Sequence, residues 1–197
     1  MISRKYVYLL FLMIHLGFFI SFTEKKWFWF FFPVLYLLLI SIAMKAGMPR
    51  KLSSKELAAG TLSGLILYGI FAFGHWVLLF LPFPIEGYVH GLYESIGPRE
   101  GWQHGLLLLV IAGEELFWRL FVQKRLLGGG DMTKRILRAT ALYTSVHLYS
   151  FNPLLIMAAI TGGIYWGWLH EKTNNIYVSI VSHLVFDLFL LYILPFE

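Results

Sequence analysis

The chain has 197 residues, 58% of them hydrophobic and 14% charged, with 18 Phe, 11 Tyr and 7 Trp, a composition that excludes an ordinary soluble domain. It contains no cysteine, which excludes disulfides, thiolate-bound zinc, iron–sulfur clusters, a thiol nucleophile and cysteine lipidation. The net charge of +5 is read as a signal of membrane orientation rather than of nucleic-acid binding.

A membrane-spanning helix needs about 20 mainly apolar residues, and seven stretches qualify in turn: 6–22, 27–44, 57–81, 103–126, 136–151, 153–169 and 176–194. The first follows Arg4 and Lys5 like a signal peptide, but no small-residue cleavage site precedes Thr23-Glu24-Lys25-Lys26, so it is expected to be retained as a span. Between Pro82 and Gln103 there is room for a small amphipathic element. Gly128-Gly129-Gly130 ends the fourth stretch and lacks the Lys-Ser/Thr of a phosphate loop. Asn152-Pro153 predicts a tight hairpin between the fifth and sixth, and Gly163-x-x-x-Gly167 predicts close helix packing.

With the N-terminus inside, Arg4, Lys5, Lys45, Arg50, Lys51, Lys55, Lys124, Arg125, Lys134, Arg135, Arg138 and Lys172 all fall in the cytoplasm, whereas Lys25, Lys26 and Arg99 fall outside. The expected fold is therefore all-α: a polytopic transmembrane helical bundle of about seven spans, N-terminus cytoplasmic. Residues 1–197 form a single membrane-embedded domain in this reading, in a multi-pass protein of a prokaryotic cytoplasmic (inner) membrane.

A charge at mid-bilayer costs about 2.5–3.5 kcal/mol even on a lenient scale, so the ionisable residues inside the stretches demand explanation. They are Glu114, Glu115 and Arg119 in the fourth, His147 in the fifth, and His183 and Asp187 in the seventh. Residues four apart share a helix face, so Glu115 and Arg119 can pair as a structural device. Glu114, rotated from them by about 100°, is left to meet groups from other helices. His183 and Asp187 share a face, a spacing suited to two metal ligands or to two groups gripping one substrate oxygen. His15 and His75 are expected to be packed; His90, His104 and His170 are expected to be solvated.

Glu114-Glu115-x-x-x-Arg119, Tyr143-x-x-x-His147 and His183-x-x-x-Asp187, in this order and each in its own helix, resemble the CPBP family of intramembrane proteases, which includes the type II CAAX prenyl endopeptidases and the bacterial Abi proteins. The similarity covers about residues 103–190, the expected catalytic core. It implies an intramembrane endopeptidase in which Glu114, helped by His147, activates water while His183 and Asp187 stabilise the carbonyl oxygen, with Glu115, Arg119 and Tyr143 in support. Tyr143 stands where the family usually has Phe, and Asp187 where Asn is common. An ionised Asp accepts hydrogen bonds only. Asp187 would therefore stay protonated and donate, or orient His183, or join His147 and His183 as a zinc ligand.

A metal-free glutamate mechanism is the preferred reading, with no cofactor; a zinc-dependent protease is its rival. The implied partners are the lipid bilayer and a membrane-embedded protein or peptide substrate, lipidated or bearing a C-terminal sorting segment, and no nucleic acid. Two further readings stand beside the enzyme. One is a non-catalytic bacteriocin-immunity or scaffold protein of the same family. The other is a proton-coupled carrier, against which the chain shows neither a repeated half nor matching broken helices.

Overall fold

A computed structural model describes residues 3–47, 50–82, 84–97 and 100–196. Arg99, one of the three cations expected outside, lies beyond the described residues. Among the described residues eight α-helices follow in order: α1 (Arg4–Thr23), α2 (Phe28–Ala43), α3 (Ser54–Leu78), α4 (Ile85–Ile96), α5 (Gly101–Glu114), α6 (Met132–His147), α7 (Pro153–Thr173) and α8 (Ile176–Leu188). There is no strand among the described residues. Each of the seven apolar stretches is helical, and the short amphipathic α4 occupies the connection between the third and fourth.

Among the described residues four helical stretches are long and apolar enough to cross a membrane: Arg4–Thr23, Lys25–Ala43, Ser54–Leu78 and Ile176–Ile193. Together with the apolar composition they make this an integral membrane protein. Of the other three expected spans, two have a weaker signal because they carry charges. The fourth carries Glu114, Glu115 and Arg119, and α6 is only 16 residues long with Lys134, Arg135 and Arg138 in its first half. Such segments need neighbouring helices to shield their polar groups. The polarity of the bundle is accordingly inverted: charged groups such as Glu115 and Arg119 are buried, while Leu12, Phe30, Leu38, Phe73 and Trp76 are exposed.

The helix ends show their causes. Asn152 caps α7, its side-chain oxygen accepting from the amides of Leu154 (3.0 Å) and Leu155 (3.4 Å), with Pro153 at the first helical position. After Leu126 the chain turns at Gly129 (φ +99°) and Gly130 (φ +72°), conformations that glycine adopts without steric cost. Asp131 then caps α6, accepting from the amide of Lys134.

Small residues set the helix spacing. A side chain on Gly163 would meet Thr140 of α6 at 2.7 Å, and one on Gly167 would meet Gln123 at 2.8 Å, so the predicted glycine pair is where α7 packs on α6 and on the continuation of α5. A second pair, Gly60 and Gly64, seats α3 against α8: a Cβ on Gly64 would lie 2.5 Å from the carbonyl oxygen of Ser182. Sequence reading passed over this pair, although it sets the position of the helix that carries His183.

α5 runs on without a break into a π-helical segment, Glu115–Leu126, whose last turn closes with a bond from the amide of Leu127 to the carbonyl of Val122. Regular α-geometry was expected through this stretch. π-Helical winding tends to occur at functional sites. Here the change of winding falls between Glu114 and Glu115, the two carboxylates that face different partners.

Candidate active site

Polar side chains from four helices and the π segment meet in the middle of the bundle. Glu114 ends α5, Glu115 opens the π segment, Tyr36 comes from α2, Tyr143 and His147 from α6, and His183 and Asp187 from α8. Burial is nearly complete, with 7% exposure at Glu114, 0% at Glu115, 4% at His147 and 6% at His183. In such surroundings each polar atom needs a partner.

Both oxygens of Glu114 accept from a phenol: Oε1 from Tyr36 at 2.9 Å and Oε2 from Tyr143 at 2.9 Å. A carboxylate has about four lone-pair sites, so each oxygen keeps acceptor capacity toward the cavity. The hydroxyl that Tyr143 carries beyond a Phe thus goes to Glu114. Its ring packs on His147 at 4.4 Å, and its backbone carbonyl lies 2.8 Å from His147 Nδ1. A carbonyl only accepts, so that nitrogen carries the proton and Nε2 is left as the free acceptor. Phe18 and Phe22 wall off the same ring.

His183 is held from three sides. Its Nδ1 lies 3.0 Å from Glu115 Oε1, its Nε2 lies 3.9 Å from Glu114 Oε2 and 3.6 Å from Asp187 Oδ2, and its ring stacks on Trp166 at 3.7 Å. Glu115 in turn faces Arg119, Oε2 to Nε 3.5 Å, and the guanidinium lies over the Tyr143 ring at 4.9 Å. The expected Glu115–Arg119 pair is present, and it extends to His183, which sequence reading did not foresee. Arg119 and Glu115 thus form one continuous support with the His183 ring, the arrangement by which a carboxylate fixes an imidazole's orientation and keeps a proton on the nitrogen facing it.

Glu114, Tyr143, His147, His183 and Asp187 all line one cavity of about 140 Å³, otherwise walled by apolar and aromatic side chains. The same geometry bears on zinc. Among the described residues no three His, Asp or Glu side chains are grouped to hold one ion. His147, His183 and Asp187 share the cavity, but His183 and Asp187 approach each other without His147 completing a ligand set.

Among the remaining histidines, His15 lies 3.0 Å from the hydroxyl of Tyr149, and His75 stacks on Phe196 at 4.8 Å, both packed as expected. His170 corrects the sequence reading: expected in water, it is 2% exposed, because α7 extends past the predicted end of its span to Thr173 and carries it into the bundle. Next to it Glu171 joins Arg135 (2.8 Å), Gln123 (3.1 Å) and Lys124 (3.7 Å) in an ionic cluster at one end of the bundle.

Comparison with known proteins adds one decisive observation: the family of type II CAAX prenyl endopeptidases, Rce1-like, matches residues 101–189. This segment is similar to that family. The match contains all three motifs, Glu114 to Arg119, Tyr143 to His147 and His183 to Asp187, and agrees with the family resemblance of the sequence. At the level of the family, the Rce1-like segment implies a protease. No curated protein and no solved structure matches the chain.

Of the residues around the Rce1-like site, sequence reading missed Tyr36 and Trp166. Each is a single aromatic residue in an aromatic-rich span, with no spacing to set it apart.

Proposed function

We propose that the protein is an intramembrane endopeptidase that hydrolyses a peptide bond in or beside a membrane-embedded segment, with Glu114 as general base. The observation that carries this reading is the Glu114 carboxylate, oriented by two tyrosine hydroxyls and facing a cavity that His147 and His183 also line. Two phenol donors hold the carboxylate plane without consuming its capacity to accept a proton.

In the proposed reaction, water lies between Glu114 and His147 Nε2. Glu114 takes one of its protons as the oxygen attacks the scissile carbonyl carbon. His183, as an imidazolium with its Nδ1–H donated to Glu115, donates from Nε2 to the carbonyl oxygen as negative charge develops there. Collapse of the tetrahedral intermediate breaks the C–N bond, and Glu114 passes its proton to the departing amine. Asp187, 3.6 Å from the same Nε2, orients His183. This role suits a carboxylate, which as an anion could not itself stabilise an oxyanion. Glu115 and Arg119 support the ring from the opposite nitrogen. The N-terminus is cytoplasmic in this reading, and all seven long helical stretches cross the membrane.

The test compares the protein termini in membranes of cells producing the wild type or Glu114→Gln. New N-termini that map within or beside apolar segments should appear with the wild type alone. Identical sets of termini from both, with the two proteins present in equal amounts, would sink the proposal.

A further inference from the structure

The charges of this bundle are segregated by end. Hydrogen bonds and ion pairs bring the starts of α3, α6 and α8 together with the ends of α7 and of the π segment: Lys124 and Arg135 reach Glu171, Arg50 reaches the carbonyl of Thr173 at 3.5 Å, and Asn175 reaches that of Lys51 at 3.5 Å. The start of α1 and the end of α2 lie at this end too. α1 runs from a contact of Phe11 with Trp118 to contacts of Phe18 and Phe22 with His147, and α2 returns antiparallel to it. Twelve lysines and arginines, from Arg4 to Lys172, therefore gather at one end, against Glu56, Asp131 and Glu171. At the opposite end the described residues include Lys25 and Lys26 against Glu24, Glu86, Glu94 and Glu100.

The cavity is just as one-sided. Above the polar cluster it is walled by Phe22, Phe28, Ile96, Leu107, Leu155 and Leu191, each from the part of its helix nearest the cation-poor end. Toward the basic end the path is filled by buried Trp118, Phe121, Val122, Ile136 and Ala139. A second apolar cavity, of about 230 Å³ between α3, α4 and α7, shares Phe71, Leu92, Tyr93, Ala158 and Leu190 with the first. It too belongs to the cation-poor half.

Clustered Lys and Arg near helix ends mark the cytoplasmic side of a membrane protein. We propose that the catalytic cavity opens on the extracytoplasmic face, and that its substrate is an apolar segment of a polypeptide presented from that face, not a lipidated C-terminus in the cytoplasm. The apolar stretch of such a substrate lies along the second cavity and its scissile bond reaches Glu114 from above. Water for hydrolysis enters by the same opening. The substrate class rests on the protease reading given above; the direction of opening does not.

The absence of native cysteine permits a direct test on the full chain. Single cysteines are placed at Gly87 and Ile96, on α4 at the cation-poor end, and at Ser54 and Thr133 at the basic end. Space is open around Gly87, and Ser54 and Thr133 are exposed. A membrane-impermeant maleimide applied to intact spheroplasts should label Gly87→Cys and Ile96→Cys, and should label Ser54→Cys and Thr133→Cys only after the membrane is disrupted. The reverse pattern, or labelling of both ends in intact spheroplasts, overturns the proposal. This readout needs no catalysis. Wild-type-dependent cleavage confined to cytoplasmic termini would also overturn it while leaving the protease reading intact. Correct labelling without any Glu114-dependent cleavage would overturn the proposed substrate together with the protease reading and leave only the orientation standing.

Discussion

Tyr143 donates its hydroxyl to Glu114 Oε2 across 2.9 Å while its own carbonyl accepts from His147 Nδ1 at 2.8 Å. One residue thus orients both members of the proposed water-activating pair, through its side chain and its backbone. Phe at this position would keep the backbone bond to the histidine and lose the bond to the glutamate.

Tyr143→Phe is therefore expected to fold normally and to cleave more slowly. A hydrogen bond to a charged group contributes about 1.5–3 kcal/mol, so the loss in rate is on the order of tenfold to a hundredfold if the bond holds the carboxylate in its reactive orientation. Tyr36→Phe should behave alike, and the double variant should lose more than either alone. Initial rates on a substrate peptide identified by terminus mapping check this. Unchanged rates in both single variants would remove the tyrosines from the proposed machinery.

Arg119→Ala should destabilise the protein strongly, because it strands Glu115 as a buried charge. Breaking a buried ion pair on one side costs about 3–5 kcal/mol. Thermal unfolding of purified protein in detergent should show a large fall in Tm for Arg119→Ala and a smaller one for Arg119→Lys, which keeps the charge but loses the planar stacking over Tyr143. A Tm equal to wild type with activity abolished would assign Arg119 to chemistry rather than to support.

Asp187→Asn separates the metal-free reading from the zinc reading. If Asp187 orients His183 near a metal-free glutamate site, the amide should retain most of the activity and elemental analysis should find no stoichiometric zinc in either protein. Stoichiometric zinc in the wild type that disappears together with activity in Asp187→Asn would establish the metalloprotease.

Acid should loosen the basic end first. Burial pushes the Glu171 carboxyl up, but its bonds to Arg135 and Gln123 and the nearby Lys124 outweigh burial and hold it below the ordinary 4.5. A carboxylate lowered on folding contributes stability above its unfolded value, and that contribution is lost as pH falls through the folded one. Below about pH 4.5, taken as the unfolded value, the Tm of the wild type should therefore fall more steeply than that of Glu171→Gln, the two curves converging as acid is added. Parallel curves would show that Glu171 does not carry the effect.

Composition alone determined that this is a membrane protein, because no soluble domain could keep so many aromatic and aliphatic residues out of water. Runs of about 20 apolar residues placed the helical stretches, since that length spans the hydrocarbon core. Angular arithmetic along one helix separated Glu114 from the Glu115–Arg119 pair, because the turn angle is a local property of the backbone. The tertiary structure decided what each face meets. Tyr36 lies 78 residues from Glu114 in sequence, His183 reaches Glu115 as well as Asp187, and Gly60 and Gly64 bring α3 onto the helix that carries His183. Periodicity gives the direction in which a side chain leaves its helix, but not which of several neighbouring helices stands there. That choice is made by packing among all of them at once, which is why the partners of Glu114 and the residues that wall the cavity became visible only in the assembled bundle.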